Sequence, residues 1–229
     1  MPARRWIMTV LLILMTFAVF IAIEYFLSQR QVTTPAAVAA QPARHLPTQP
    51  RLVAGFFLPE HLRYHPGHTW ALAEGPQTVR IGWDDFAAKL MGPVARVDLP
   101  RRGQWIRQGQ KIVAVYRDGN KAELASPIEG MVSEVNDAVV RDPEIARRDP
   151  YGEGWLLVVQ SPDAKVNFRN LLHGAVAQRW MEEAVQRLLG RFPQLAGAVA
   201  QDGGVAVADL TQALPDADWD ALTREFFLS

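Results

Sequence analysis

Lys121 stands two residues beyond Asp118-Gly119 in the stretch Val115-Tyr116-Arg117-Asp118-Gly119-Asn120-Lys121-Ala122-Glu123-Leu124. Asp-Gly between strand-like residues is the strongest short signal for a two-residue β-hairpin. Such a hairpin has its tip at Asp118 and Gly119 and sets Lys121 across from Tyr116. Only lysine offers an amine that can be acylated, and this chain has just four Lys against 20 Arg. An exposed hairpin lysine is also ordinary surface chemistry that blunts a sheet edge. His61, His65 and His68 could bring two imidazoles to one metal. However, Pro66-Gly67 breaks any helix between them, and Glu60 is the only carboxylate close by in sequence. They read as loop and strand-start histidines, with no metal. Asp84 and Asp85 read as a helix N-terminus, where negative charge is favourable, and not as an acid-base pair. No GxSxG, P-loop or dinucleotide fingerprint occurs, so no catalytic residue is assigned.

Composition narrows the field further. The chain has 229 residues, of which 49% are hydrophobic, enough to bury a core. Its 24 basic residues balance 24 acidic ones, which disfavours nucleic-acid binding by bulk electrostatics. Zero cysteines exclude disulfide frameworks, thiolate metal sites and cysteine nucleophiles.

The elements that must position Lys121 follow from hydropathy and punctuation. Trp6 to Phe26 is apolar apart from Glu24 and is long enough to span a bilayer as a helix of roughly 30 Å. We expect a single transmembrane anchor over residues 1–28, in contact with lipid through residues 6–28. It is read as uncleaved, because the only small-residue site, Ala37-Val38-Ala39, lies too far downstream. Arg4 and Arg5 precede the span and a charge-poor stretch follows it, so the soluble part is expected on the extracytoplasmic side, with the cytoplasmic face as the alternative. A Pro/Ala-rich linker over 29–56 should be an extended tether.

From 57 to 190, short apolar runs alternate with Gly, Pro and Asp: Thr78 to Ile81, Arg96 to Leu99, Lys111 to Tyr116, Met131 to Val135 and Trp155 to Gln160. This predicts a compact, mostly β domain with one helical insert at Trp83 to Met91. Ala175 to Leu189 carries apolar residues at 176, 177, 180, 181, 184, 185, 188 and 189, the stripe of an amphipathic helix. Residues 191–229 are expected to be a small helical tail. In it, a break at Gly203-Gly204 and then Pro215-Asp216 precede a helix with Trp219, Leu222 and Phe226 on one side.

Several blocks, in order, resemble the glycine cleavage system H protein family. They are Tyr64-His65-Pro66-Gly67-His68-Thr69-Trp70, Val79-Arg80-Ile81-Gly82, Gly92-Pro93-Val94 through Val97-Asp98-Leu99-Pro100, Ser126-Pro127-Ile128-Glu129-Gly130 and Asp149-Pro150-Tyr151-Gly152-Glu153-Gly154-Trp155. The resemblance runs from about residue 62 to 190. It implies a lipoyl/biotinyl-type hammerhead of two small antiparallel sheets with a protruding hairpin and a C-terminal helix. It also marks Gly82, Pro127, Gly130, Tyr151, Gly152, Gly154 and Trp155 as structural positions of the family pattern.

In that family the lipoylated lysine sits at the hairpin tip, eight residues before the Pro of the SPxxG block, a position held here by Gly119. The resemblance therefore implies a membrane-tethered, non-enzymatic docking or carrier module whose lipoyl site is lost or displaced. The alternative is a working carrier with lipoate on Lys121, passing an aminomethyl group between glycine-cleavage-type enzymes. A third class, a periplasmic efflux-type adaptor, normally separates its lipoyl halves by a long helical hairpin, whereas here they run on through Gly130.

Overall fold

The computed structural model describes residues 15–17, 19, 21–22, 51–199, 204–214 and 217–227. The chain divides into two units, Met1–Leu46 and Pro47–Ser229. In the first, Met15 to Phe17, Val19, Ile21 and Ala22 are helical and exposed. Among the described residues no helix is long and apolar enough to cross a membrane. Most of the run that suggested a transmembrane helix lies outside the described residues, as do Gly203 and Pro215-Asp216.

The second unit is built on antiparallel strands. Strands β3 (Arg63–His65), β4 (Thr69–Ala73), β5 (Thr78–Trp83), β7 (Trp105–Ile106), β10 (Gly130–Val135) and β11 (Leu157–Gln160) make a six-stranded sheet ordered β3-β4-β5-β11-β10-β7. A three-stranded sheet joins β6 (Arg96–Asp98), β8 (Lys111–Arg117) and β9 (Asn120–Ala125) in the order β6-β8-β9. The two antiparallel sheets and the protruding β8–β9 hairpin match the expectation, although one sheet is larger than expected. A third, two-stranded sheet pairs β1 (Arg51–Val53) with β2 (Phe56–Leu58). The tether had been expected to run through residue 56, but the β1–β2 hairpin buries Val53 and Phe56. Its Ala54-Gly55 turn is a weak local signal; burial of those two side chains decides the outcome.

Helix α1 (Asp85–Met91) starts two residues later than its apolar pattern suggested, because Trp83 is still paired with Thr69 in the sheet. The Asp84 side chain caps it by accepting from the Ala87 amide at 2.8 Å. The short helices α2 (Asp137–Arg141), α3 (Glu144–Arg148) and α4 (Ala164–Arg169) lack a full apolar repeat and escaped the sequence reading. Helix α5 (Gly174–Arg191) buries Ala177, Met181, Ala184, Val185 and Leu188, while Val176 at the edge of the expected stripe is exposed.

The expectation of a small appendage beyond residue 190 is corrected. Leu195, Leu210, Leu222, Phe226 and Phe227 are as buried as the centre of the domain and belong to the same core as Phe56, Tyr64, Trp70, Trp83 and Phe86. The tail contributes α6 (Ala196–Val199), a 3-10 turn at Leu210–Ala213 and α7 (Trp219–Phe227). Helix α7 packs along β9, the edge strand of the smaller sheet. It has no reason to be separate, because its apolar face has an edge strand to cover.

Candidate functional site: the hairpin

The hairpin forms in the register that its turn chemistry demands, with Arg117 opposite Asn120 and Tyr116 opposite Lys121. Asp118 (φ +49°) and Gly119 (φ +84°) are both left-handed, as a type I′ turn requires. A Cβ added at Gly119 would meet nothing within 4 Å, so the apex is open. Lys121 lies on the flank. Its Nζ donates to Glu123 Oε1 at 2.7 Å, and this bond pushes the amine up from its ordinary value and Glu123 down. Beside the hairpin tip, Arg117 Nη1 donates to the Met91 carbonyl at 2.8 Å, and its guanidinium lies 5.5 Å from the Trp219 ring centre.

The family-pattern residues build the support. Gly82 faces the Trp70 indole, where a Cβ would come within 2.6 Å. The Pro127 carbonyl accepts from Gln108 Nε2 at 2.9 Å. The Asp149 carboxylate gathers the Gly152 and Glu153 amides at 3.0 and 2.8 Å, and the Gly154 amide donates to the Asp149 carbonyl. Trp155 carries the Arg80 guanidinium 5.3 Å from its ring centre. Tyr151 joins three parts of the molecule: its hydroxyl donates to the Phe57 carbonyl at 2.6 Å and accepts the Asp85 amide at 3.0 Å. Burial raises its pKa well above the ordinary phenol value, so it stays a donor. Tyr151→Phe should therefore lower stability by about 1 to 3 kcal/mol, because both backbone groups lose a partner. The midpoint of urea unfolding, at unchanged slope, measures this.

The histidines do not converge. His61 is exposed in the turn before β3, His65 Nδ1 accepts the Gly67 amide at 3.0 Å, and His68 is fully buried. Among the described residues no group of three His, Asp or Glu could hold a metal ion. His68 instead forms a buried pair with Asp84, Nδ1 to Oδ2 at 2.8 Å, which sequence reasoning missed. Asp84 accepts, so Nδ1 carries the proton and donates. The imidazole stacks on Phe86 at 4.2 Å between ring centres and faces Trp180 at 4.6 Å. Among the described residues its buried Nε2 has no hydrogen-bond partner.

Asp85 reaches the Phe57 amide at 2.9 Å and Lys89 Nζ at 2.7 Å; burial still raises its pKa against the pull of Lys89. Asn136 caps α2 and also donates to the Glu153 and Trp155 carbonyls at 2.9 and 2.7 Å. Its place just before Asp137 was the available signal.

A family model described as the glycine cleavage H-protein matches residues 62–184. The glycine cleavage system H protein of Anaeromyxobacter sp. (strain K) is 36% identical over 126 residues, 55% of this chain and 97% of that protein. The H protein of Mycobacterium avium (strain 104) is 37% identical over 107 residues, 47% of this chain and 81% of that protein. A crystal structure of a glycine cleavage system H protein from Mycobacterium marinum is 28% identical, with a TM-score of 0.48 over 56% of this chain and 99% of that one. The chain belongs to the glycine cleavage H-protein family, non-enzymatic lipoyl carriers that work with the glycine cleavage enzymes, and it is not itself an enzyme.

Proposed function

We propose that this chain is a membrane-tethered docking module of the H-protein type whose lipoyl site has been vacated. The observation that carries this reading is the apex, where Gly119 stands in the place the family pattern gives to lysine and Lys121 is tied to Glu123 on the flank. Lipoate attachment needs an amine at an exposed tip that an attaching enzyme and later partners can both reach. Moving that amine two residues along a strand shifts it about 6 to 7 Å and turns the root of the arm sideways. The tether rests on the apolar run Trp6 to Phe26, and an extracytoplasmic position of the domain rests on Arg4 and Arg5 before it.

Family membership by itself favours the second reading, a working carrier with lipoate on Lys121 and glycine-cleavage-type enzymes as partners. The Lys121 side chain is half exposed, which is the specific observation in its favour. The efflux-adaptor reading has no such support.

Intact mass separates the first two readings after expression in a cytoplasm that holds the attaching enzyme. The native chain is expected at its unmodified mass, and Gly119→Lys is expected to gain one lipoyl group. Lipoate on the native chain that disappears with Lys121→Arg would overturn the vacated-site reading and establish the carrier.

A further inference from the structure

Helix α7 lies outside residues 62–184 of the H-protein module, and the H protein of Anaeromyxobacter is matched over 97% of its length. In this chain α7 lies along β9, the outer strand of the hairpin sheet. Trp219 reaches Arg117 beside the hairpin tip, and Leu222 is buried. Phe226 meets Phe86 at 5.4 Å between ring centres, and Phe227 meets His68 at 6.3 Å. Trp219, Leu222 and Phe226 fall at i, i+3 and i+7, the anchor spacing of a helix laid in a groove. The polar side of α7 borders a second, shallow groove of about 500 Å³, where Asp220 and Arg224 stand beside Lys111, Lys121 and Glu123.

The seat is imperfect. Four buried side-chain polar atoms lack a hydrogen bond among the described residues, and two of them, His68 Nε2 and Trp219 Nε1, lie under or on α7. Trp219 Nε1, on the helix itself, would regain water if the helix lifted, so the closed state carries a cost that a fully satisfied core element would not. The occupant is a short amphipathic helix covering an edge strand at the hairpin that a partner of the module must approach.

We propose that the groove formed by β9, Phe86 and His68 is a docking surface for an amphipathic helix, and that α7 holds it in cis. The partner it fits presents large apolar side chains at i, i+3 and i+7 and an acidic residue beside the first of them, as Trp219-Asp220 does. Such a partner gains the hairpin flank only by displacing α7. This deepens the docking reading given above.

Native-state hydrogen exchange of the full chain in detergent is the first test. The α7 amides are expected to exchange together, at least about tenfold faster than those of β5 and β11, because a strap opens below the free energy of global unfolding. Exchange of α7 in step with β5 and β11 would overturn the proposal, since the helix would then be an ordinary core element.

The second test is fluorescence anisotropy with a labelled peptide of residues 217–229. It should bind the double variant Leu222→Asp, Phe226→Asp at least about tenfold more tightly than the native chain, where the cis helix competes. A folded double variant that takes up no peptide overturns the proposal. If the double variant does not fold, the exchange result on the native chain decides alone. Lipoate found on Lys121 would overturn the vacated-site reading and leave this one standing, because neither measurement depends on that amine.

Discussion

Asp84→Ala is expected to lower stability by about 3 to 5 kcal/mol, enough to unfold many domains of this size. The side chain is fully buried and does two jobs at once. Oδ1 caps α1 through the Ala87 amide at 2.8 Å, and losing such a cap costs about 1 kcal/mol. Oδ2 accepts the hydrogen bond from His68 Nδ1 at 2.8 Å. Without it, both ring nitrogens of His68 would be buried and unpaired, because Nε2 already has no partner among the described residues. Stranding a buried donor of this kind is what makes the loss larger than the worth of one bond. Asp84→Asn keeps an acceptor for the cap and should recover part of the loss. Urea unfolding of the full chain in detergent, followed by tryptophan fluorescence, measures both variants. A loss of under 1 kcal/mol for Asp84→Ala would show that the pair is not structural.

Gly130→Ala should be nearly as damaging, at about 3 to 5 kcal/mol. Gly130 opens β10 opposite Ile106, and a Cβ built on it would stand 2.3 Å from the Gln160 carbonyl oxygen and 2.8 Å from Val159. Its φ of +155° adds backbone strain for any other residue. The obstacle is main chain in the neighbouring strand, which cannot swing aside as a flexible side chain would. Gly119→Ala is the control. It also has positive φ, but nothing lies within 4 Å of its Cβ position, so only the left-handed penalty of about 1 to 2 kcal/mol applies. Equal losses for the two variants would mean that dihedral strain alone matters and that the close approach is relieved by a shift of β11.

Local rules settled a good part of this molecule before any tertiary contact was known. The turn type and register of the hairpin follow from Asp-Gly between strand residues, so Lys121 opposite Tyr116 was legible directly. Both determinants sit within a few residues of each other, and no distant group has to agree. The helix start at Asp84 and the apolar stripe of α5 were legible for the same reason.

The tertiary structure decided what those elements meet. Amphipathicity says that α7 must bury a face, but not that the face closes on β9 and His68. A glycine in the sequence shows that a side chain is missing, but not whether a strand lies in its place, as at Gly130, or solvent, as at Gly119. His68 and Asp84 are 16 residues apart and read separately as a strand-start histidine and a helix cap. They become one buried pair only because β4 and β5 are neighbours in the sheet. Composition and spacing act along the chain, whereas burial and shared partners are set by segments far apart in it. The closed seat of α7, the orphaned Nε2 and the bond from Lys121 to Glu123 therefore became visible only in three dimensions.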